Sequence, residues 1–157
     1  MKKTLSLLAV AALGLITLNS CSKGDGPTLD INKVKTAKFT IQVKGLEAND
    51  HALFVFSSGE ATANTTLWKI NGSERANEKV ISLDEDDLKA GATFIIETTR
   101  PVVAISTGYT FTNGDNTAHT PVTFSYKAEI NGKVANDVKN QAIAAGDNLN
   151  IDLSYTE

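Results

Sequence analysis

Along most of this chain, apolar and polar residues alternate with a period of two, the spacing that buries one face of a β-strand and leaves the other in water. Phe39, Ile41 and Val43 alternate with Thr40, Gln42 and Lys44, and the run closes at Gly45. Leu53 to Phe56 reads as a short continuous apolar strand ended by Ser57-Ser58-Gly59. Leu67 to Ile70 stops at Asn71-Gly72, a turn dipeptide that favours positive φ. Val80, Ile81 and Leu83 precede an acidic turn, and Ala92 to Thr99 is rich in β-branched residues. Pro101 interrupts backbone pairing, so Val102 to Phe111 is expected as a separate strand or one bent at a sheet corner. Val122, Phe124 and Tyr126 alternate before the turn Asn131-Gly132, and Leu149, Ile151, Leu153 and Tyr155 alternate after Gly146-Asp147-Asn148. Residues 134–145 fit either an edge strand or a short helix.

The pattern amounts to about 7–9 strands spaced about 10–15 residues apart with no helical period between them, which predicts one antiparallel β-sandwich. The stretch Leu88-Lys89-Ala90-Gly91-Ala92-Thr93-Phe94 resembles the Leu-x-x-Gly-x-x-aromatic corner of immunoglobulin-like and transthyretin-like sandwiches. That resemblance implies that Leu88 plugs the core, Gly91 permits the bend and Phe94 begins the next strand.

The beginning of the chain breaks the pattern. Lys2 and Lys3 are followed by an apolar run from Leu5 to Leu18 without a charge, the layout of a secretion signal. The run is shorter than the roughly 20 residues an α-helix needs to span a bilayer. Leu18-Asn19-Ser20-Cys21 resembles the lipobox of bacterial lipoproteins, and the following Ser22-Lys23-Gly24-Asp25-Gly26 is similar to the start of many Bacteroidota lipoproteins. The resemblance implies removal of residues 1–20, diacylglycerol on the Cys21 sulfur, palmitate-type acylation of the new amino terminus, and sorting to the outer membrane. Which face of that membrane it occupies is left open. Several acyl chains hold a protein stably on a bilayer where one does so only marginally. Residues 21–36, with Gly24, Gly26 and Pro27, are expected to form a lipidated, flexible tether spanning roughly 20 Å. The sandwich is then expected over 37–157.

Composition narrows the functions. The chain has 15 Lys plus Arg against 18 Asp plus Glu, a net charge of −3, and loss of Lys2 and Lys3 with the signal makes the remainder more acidic. Such a surface is a poor partner for nucleic acid, whose phosphates need clustered Lys and Arg. Cys21 is the single cysteine, so no intramolecular disulfide can form and the fold is expected to rest on its core.

Candidate chemistry is sparse. There is no Gly-x-Ser-x-Gly nucleophile elbow, no Cys-His zinc pattern and no Gly-rich phosphate loop. His51, in the turn Asn49-Asp50-His51, and His119, ahead of Pro121, are the only histidines. With Asp50 they would make a metal site if their loops met at one end of the sandwich, the basis of a metal-dependent enzyme reading. Asp84-Glu85-Asp86-Asp87 supplies four consecutive carboxylates without the spacing of an EF-hand, and reads first as a solvated turn. Asn113-Gly114-Asp115-Asn116 reads first as a hairpin tip. Glycan-binding sandwiches stack sugars on exposed rings, which makes Trp68, Tyr109, Phe111 and Tyr126 the candidate rings. Tyr109 and Phe111 flank the polar loop 112–120 and are the pair expected to be exposed, whereas Trp68 lies where a core tryptophan is common. The speculative ligand-binding set is therefore Tyr109, Phe111, Trp68, His119 and His51, with no catalytic residue, no metal and no cofactor.

These features together predict a lipid-anchored, non-enzymatic binding or accessory module of the cell envelope. Its partners would be the membrane, through Cys21, and an envelope protein or glycan met by loops 46–51 and 112–120. The alternative is a structural subunit of a surface fibre or envelope complex that assembles by strand addition, for which 149–155 is the natural strand.

Overall fold

The computed structural model describes residues 33–60, 62–114 and 121–155, so the predicted signal, Cys21 and His119 lie outside the described residues. Ten strands and one short helix follow in the order β1 (Ala37–Lys44), β2 (His51–Gly59), β3 (Trp68–Ile70), β4 (Ser73–Arg75), β5 (Val80–Leu83), α1 (Glu85–Leu88), β6 (Thr93–Thr98), β7 (Ala104–Thr112), β8 (Val122–Ile130), β9 (Lys133–Ile143) and β10 (Asn148–Ser154). They form two antiparallel sheets, a six-stranded one in the order β4-β3-β6-β1-β8-β9 and a four-stranded one in the order β10-β7-β2-β5. The predicted β-sandwich is the observed architecture.

The period-two residues face inward as alternation requires. Phe39, Ile41 and Val43 on β1 meet Phe54 and Phe56 on β2 across the interior, with Tyr109 and Phe111 from β7 and Phe124 and Tyr126 from β8. The core is largely aromatic, with the Phe39 and Phe56 rings 5.0 Å apart and those of Phe111 and Phe124 stacked at 4.6 Å. Such pairs add about 0.5–1.5 kcal/mol each beyond the area they bury. Trp68 is fully buried, and its indole N–H donates to the Lys79 carbonyl at 3.0 Å, which closes one side of the sandwich between β3 and the start of β5.

The turns follow their sequence signals. Asn71-Gly72 and Asn131-Gly132 take positive φ at both residues, 49° and 83° in the first and 51° and 74° in the second, the geometry of a two-residue hairpin that matches strand twist. Leu88 is buried, Gly91 turns with φ +68° and Phe94 lies in β6, as the corner resemblance implies. After Pro101 the chain leaves the six-stranded sheet and enters the four-stranded one as β7. Residues 134–145 are resolved in favour of an edge strand, β9, with register irregularities opposite Phe124/Tyr126 and Ala128/Glu129.

The packed domain starts two residues earlier than expected. Lys35, only 3 % exposed, exchanges backbone hydrogen bonds of 2.8 Å with Val102 in both directions. Thr36 likewise exchanges bonds of 2.9 Å with Asn131, one of them through the Asn131 side chain. Neither residue belongs to a free tether, because their backbone groups complete the end of the sandwich.

Candidate binding surface at the loop end

Because β1 runs from Ala37 to Lys44, the connections divide between two ends about 25 Å apart. One end holds the chain entry at Lys35, the 131–132 turn and Val102. The opposite end gathers the 45–50 loop, helix α1, residues 113–114 and the 144–147 turn.

Asp50 organises this second end. It is 2 % exposed, and its two carboxylate oxygens accept separate backbone N–H groups, from Glu47 at 2.8 Å and from Gly114 at 3.0 Å. The 45–50 loop and residues 113–114 therefore meet across a buried carboxylate. Asn113 adds a second fastening, donating from its side-chain amide to the Ile143 carbonyl at 3.0 Å while its backbone N–H donates to the Asp147 carbonyl. Three connections are thus held as one surface. Both Asp50 oxygens thus serve the two loops, while His119 lies outside the described residues.

Beside this knot, a half-open cleft of about 490 Å³ lies between the 46–51 loop and α1, bordered by Leu46, Glu47, Asp50, His51, Glu85 and Lys89. The His51 side chain is 69 % exposed and its Nδ1 lies 3.3 Å from the Glu85 carboxylate. Glu85 is held below the usual carboxylate range, first by a backbone N–H at the start of α1 and then by His51. Asp86 is lowered by its 2.7 Å hydrogen bond from the Lys89 ammonium, and Lys89 is raised by the same contact. Glu85, Asp86 and Lys89 are therefore charged at neutral pH and suited to the ion contacts of a polar interface rim. The described lining residues of the cleft include no serine, threonine or cysteine.

The acidic run starts helix α1. Asp84 caps α1, accepting from the Asp86 and Asp87 N–H groups, and Asp87 returns a bond to the Asp84 N–H, a capping box. With Glu85 on His51 and Asp86 on Lys89, each of the four carboxylates has a partner. No three His, Cys, Asp or Glu residues among the described ones converge on a metal-sized site.

The aromatic candidates are placed differently from expectation. Tyr109 and Phe111, expected to be exposed beside the 112–120 loop, are both buried, and so is Trp68. The physical reason is register: Phe54 pairs with Tyr109 and Ala52 with Phe111, all on the inward parity of β2 and β7, so the rings enter the core rather than present a sugar-stacking face. Tyr126, also weighed, is fully buried, its hydroxyl within 2.9 Å of the Thr107 hydroxyl and 3.0 Å of the Tyr155 hydroxyl. His51 is the predicted contact residue that the structure places on an accessible surface. The part of Asp50 could have been suspected from its place in an Asn-Asp turn, whereas the His51–Glu85 contact joins residues 34 apart and has no local signal.

No protein-family model matches the chain, and no curated protein matches it in sequence. Solved structures do resemble it. A DUF4425 family protein from Bacteroides ovatus aligns over 78 % of this chain and 95 % of its own with a TM-score of 0.57 at 13 % identity. A DUF4425 domain of unknown function from Bacteroides vulgatus aligns over 79 % and 97 % with a TM-score of 0.61 at 11 % identity. A protein from Parabacteroides distasonis, determined by NMR in a calcium-bound form, aligns over 77 % and 93 % with a TM-score of 0.53 at 18 % identity. At these identities the likeness is one of fold.

Proposed function

We propose that this protein is a lipid-anchored, non-enzymatic binding or accessory module of the bacterial cell envelope, held to the outer membrane through Cys21 and meeting its partner with the loop end of the sandwich. The observation that carries the reading is polarity. The chain enters the sandwich at Lys35, and the loops fastened by Asp50 lie at the other end, about 25 Å away along β1. A tether attached at the entry end presents those loops away from the bilayer. The cleft at His51, Glu85 and Lys89 gives that end a polar rim, and the fold neighbours from Bacteroides and Parabacteroides support a Bacteroidota-type origin.

The test is photocrosslinking in intact cells from a reactive residue at Ala48, with one at Lys133 as control, alongside metabolic labelling with an alkyne fatty acid. A partner is expected from Ala48 and not from Lys133, and label is expected on the wild-type chain but not on Cys21→Ser. A partner that remains bound when residues 46–51 and 113–114 are all replaced contradicts the reading.

One observation favours strand addition as the second reading. β10 is an edge strand paired with β7 alone, and its inward residues Leu149, Ile151 and Leu153 are only half-buried, so a neighbouring strand would find an open ladder there. A chain that stays monomeric at millimolar concentration with slow exchange along β10 excludes it.

A further inference from the structure

The two outer faces of the sandwich have opposite character. Across the six-stranded sheet, the register aligns Glu74, Lys69, Glu97, Lys38 and Glu129 on neighbouring strands, a row of alternating sign. Lys69–Glu97 at 3.3 Å and Lys127–Glu129 at 3.0 Å are ion pairs on this face. It is a self-compensated, solvated surface. The outer face of the four-stranded sheet carries the rows Ser154-Ser106-Ser57-Val80, Asp152-Gly108-Val55-Ser82 and Asn150-Thr110-Leu53. In those rows Asp152 is the single charge, and Leu53 and Val80 are 37 % and 56 % exposed.

This face is also concave. A trough of about 550 Å³ runs over Gly108 with Leu53 and Val55 on one wall and Asn150 and Asp152 on the other. Gly108 leaves the floor bare, and the position a Cβ would take there lies 2.8 Å from the Asp152 Oδ1. The carboxylate thus leans across the bare floor. The hydroxyls beside it are engaged within the protein: Ser57 and Ser106 share a hydrogen bond of 2.7 Å, and Thr110 donates to the Leu149 carbonyl at 3.2 Å. No ion-pair partner reaches Asp152 among the described residues.

We infer that this trough is a second contact site, independent of the loop end, and that it takes the Arg or Lys side chain of a partner protein. An acceptor-only carboxylate with no other charge in its own or the flanking rows is complemented by a cation, and the apolar wall suits the methylene stem that carries it. The volume lies within the range of small-ligand clefts. A second copy meeting this face with its own would bring another carboxylate and no cation. A stacked sugar lacks an exposed ring on this face, since Tyr109 points into the core.

The test is an amide-resolved NMR titration of the full chain in detergent micelles with the blocked pentapeptide acetyl-Gly-Leu-Arg-Leu-Gly-amide, its Glu counterpart and maltohexaose. The Arg peptide is expected to shift Ser106, Gly108 and Asp152 saturably, with binding weakened about tenfold by Asp152→Asn and by high salt. Replacing Ala48 and His51 is expected to leave the titration unchanged, so this site and the loop end are judged separately. The proposal is overturned if the Glu peptide binds equally, if maltohexaose saturates the same signals, if Asp152→Asn binds as wild type, or if nothing shifts at millimolar peptide.

Discussion

Asp50 connects two loops that are 64 residues apart in sequence through a single carboxylate. Truncation to Ala removes the acceptor of the part-buried Glu47 and Gly114 N–H groups, a cost of about 1–3 kcal/mol. The denaturation midpoint of Asp50→Ala should fall accordingly, with Asp50→Asn losing less because its amide oxygen still serves one of the two donors. The tyrosines make a second prediction at this scale. The chain has three, and burial pushes Tyr109, Tyr126 and Tyr155 all above the ordinary phenol value of 10. The unfolded chain therefore loses its phenolic protons first, so the stability they lend is complete below pH 10 and declines as the pH rises beyond it. Tyrosinate absorbance should stay low as the pH passes 10 and then rise in one step with unfolding. A gradual titration centred on pH 10 in folded protein refutes the buried hydroxyl network.

Helix α1 has only four residues, too few to persist by helix propensity, and it depends on its capping box and on Leu88 inserted into the core. Asp84→Ala should cost about 1 kcal/mol and Leu88→Ala about 2–5 kcal/mol, read from urea midpoints. Glu85 and Asp86 are depressed in the fold, so their contribution is present above the ordinary carboxylate values of 4.5 and 3.8 and fades as pH falls through the lower folded ones. Hydrogen exchange in residues 84–91 should accelerate in that acid window before the strands respond. Because the carboxylates already have partners, millimolar calcium should not move the amide signals of residues 84–87. Most strands were legible from alternation alone, since an interior lined by both sheets imposes a strict period of two. β4 was not, because Ser73, Glu74 and Arg75 are all exposed and the strand exists only as the return of the Asn71-Gly72 hairpin. β9 was ambiguous for a related reason: it overhangs the core at a sheet edge, and its register irregularities break the alternation that would have marked it.

At the scale of the molecule, the sequence showed which residues are apolar but not which rings the register turns inward. Tyr109 and Phe111 flank a polar loop in the chain and are nevertheless core residues in space. The loop end was anticipated by its polar turns, whereas the difference between the outer faces was not. It emerges only when cross-strand register sets Lys69 beside Glu97 and Lys38 beside Glu129, and leaves Asp152 facing Gly108. Substituting Lys38 by Glu places like charges beside both Glu97 and Glu129, and should cost about 0.5–2 kcal/mol at low salt and less at high salt.

The bridge at Lys35 has a mechanical consequence. Just past it the chain becomes β1, an interior strand bonded along Ala37–Lys44 to β8 and along Lys38–Gln42 to β6. A pull delivered through the preceding chain, with the load held at the far loops, acts lengthwise on that strand. Its hydrogen bonds then bear the force in shear and together, where an edge strand would unzip one bond at a time. A domain seized by a partner and dragged against its attachment is therefore gripped along its strongest axis.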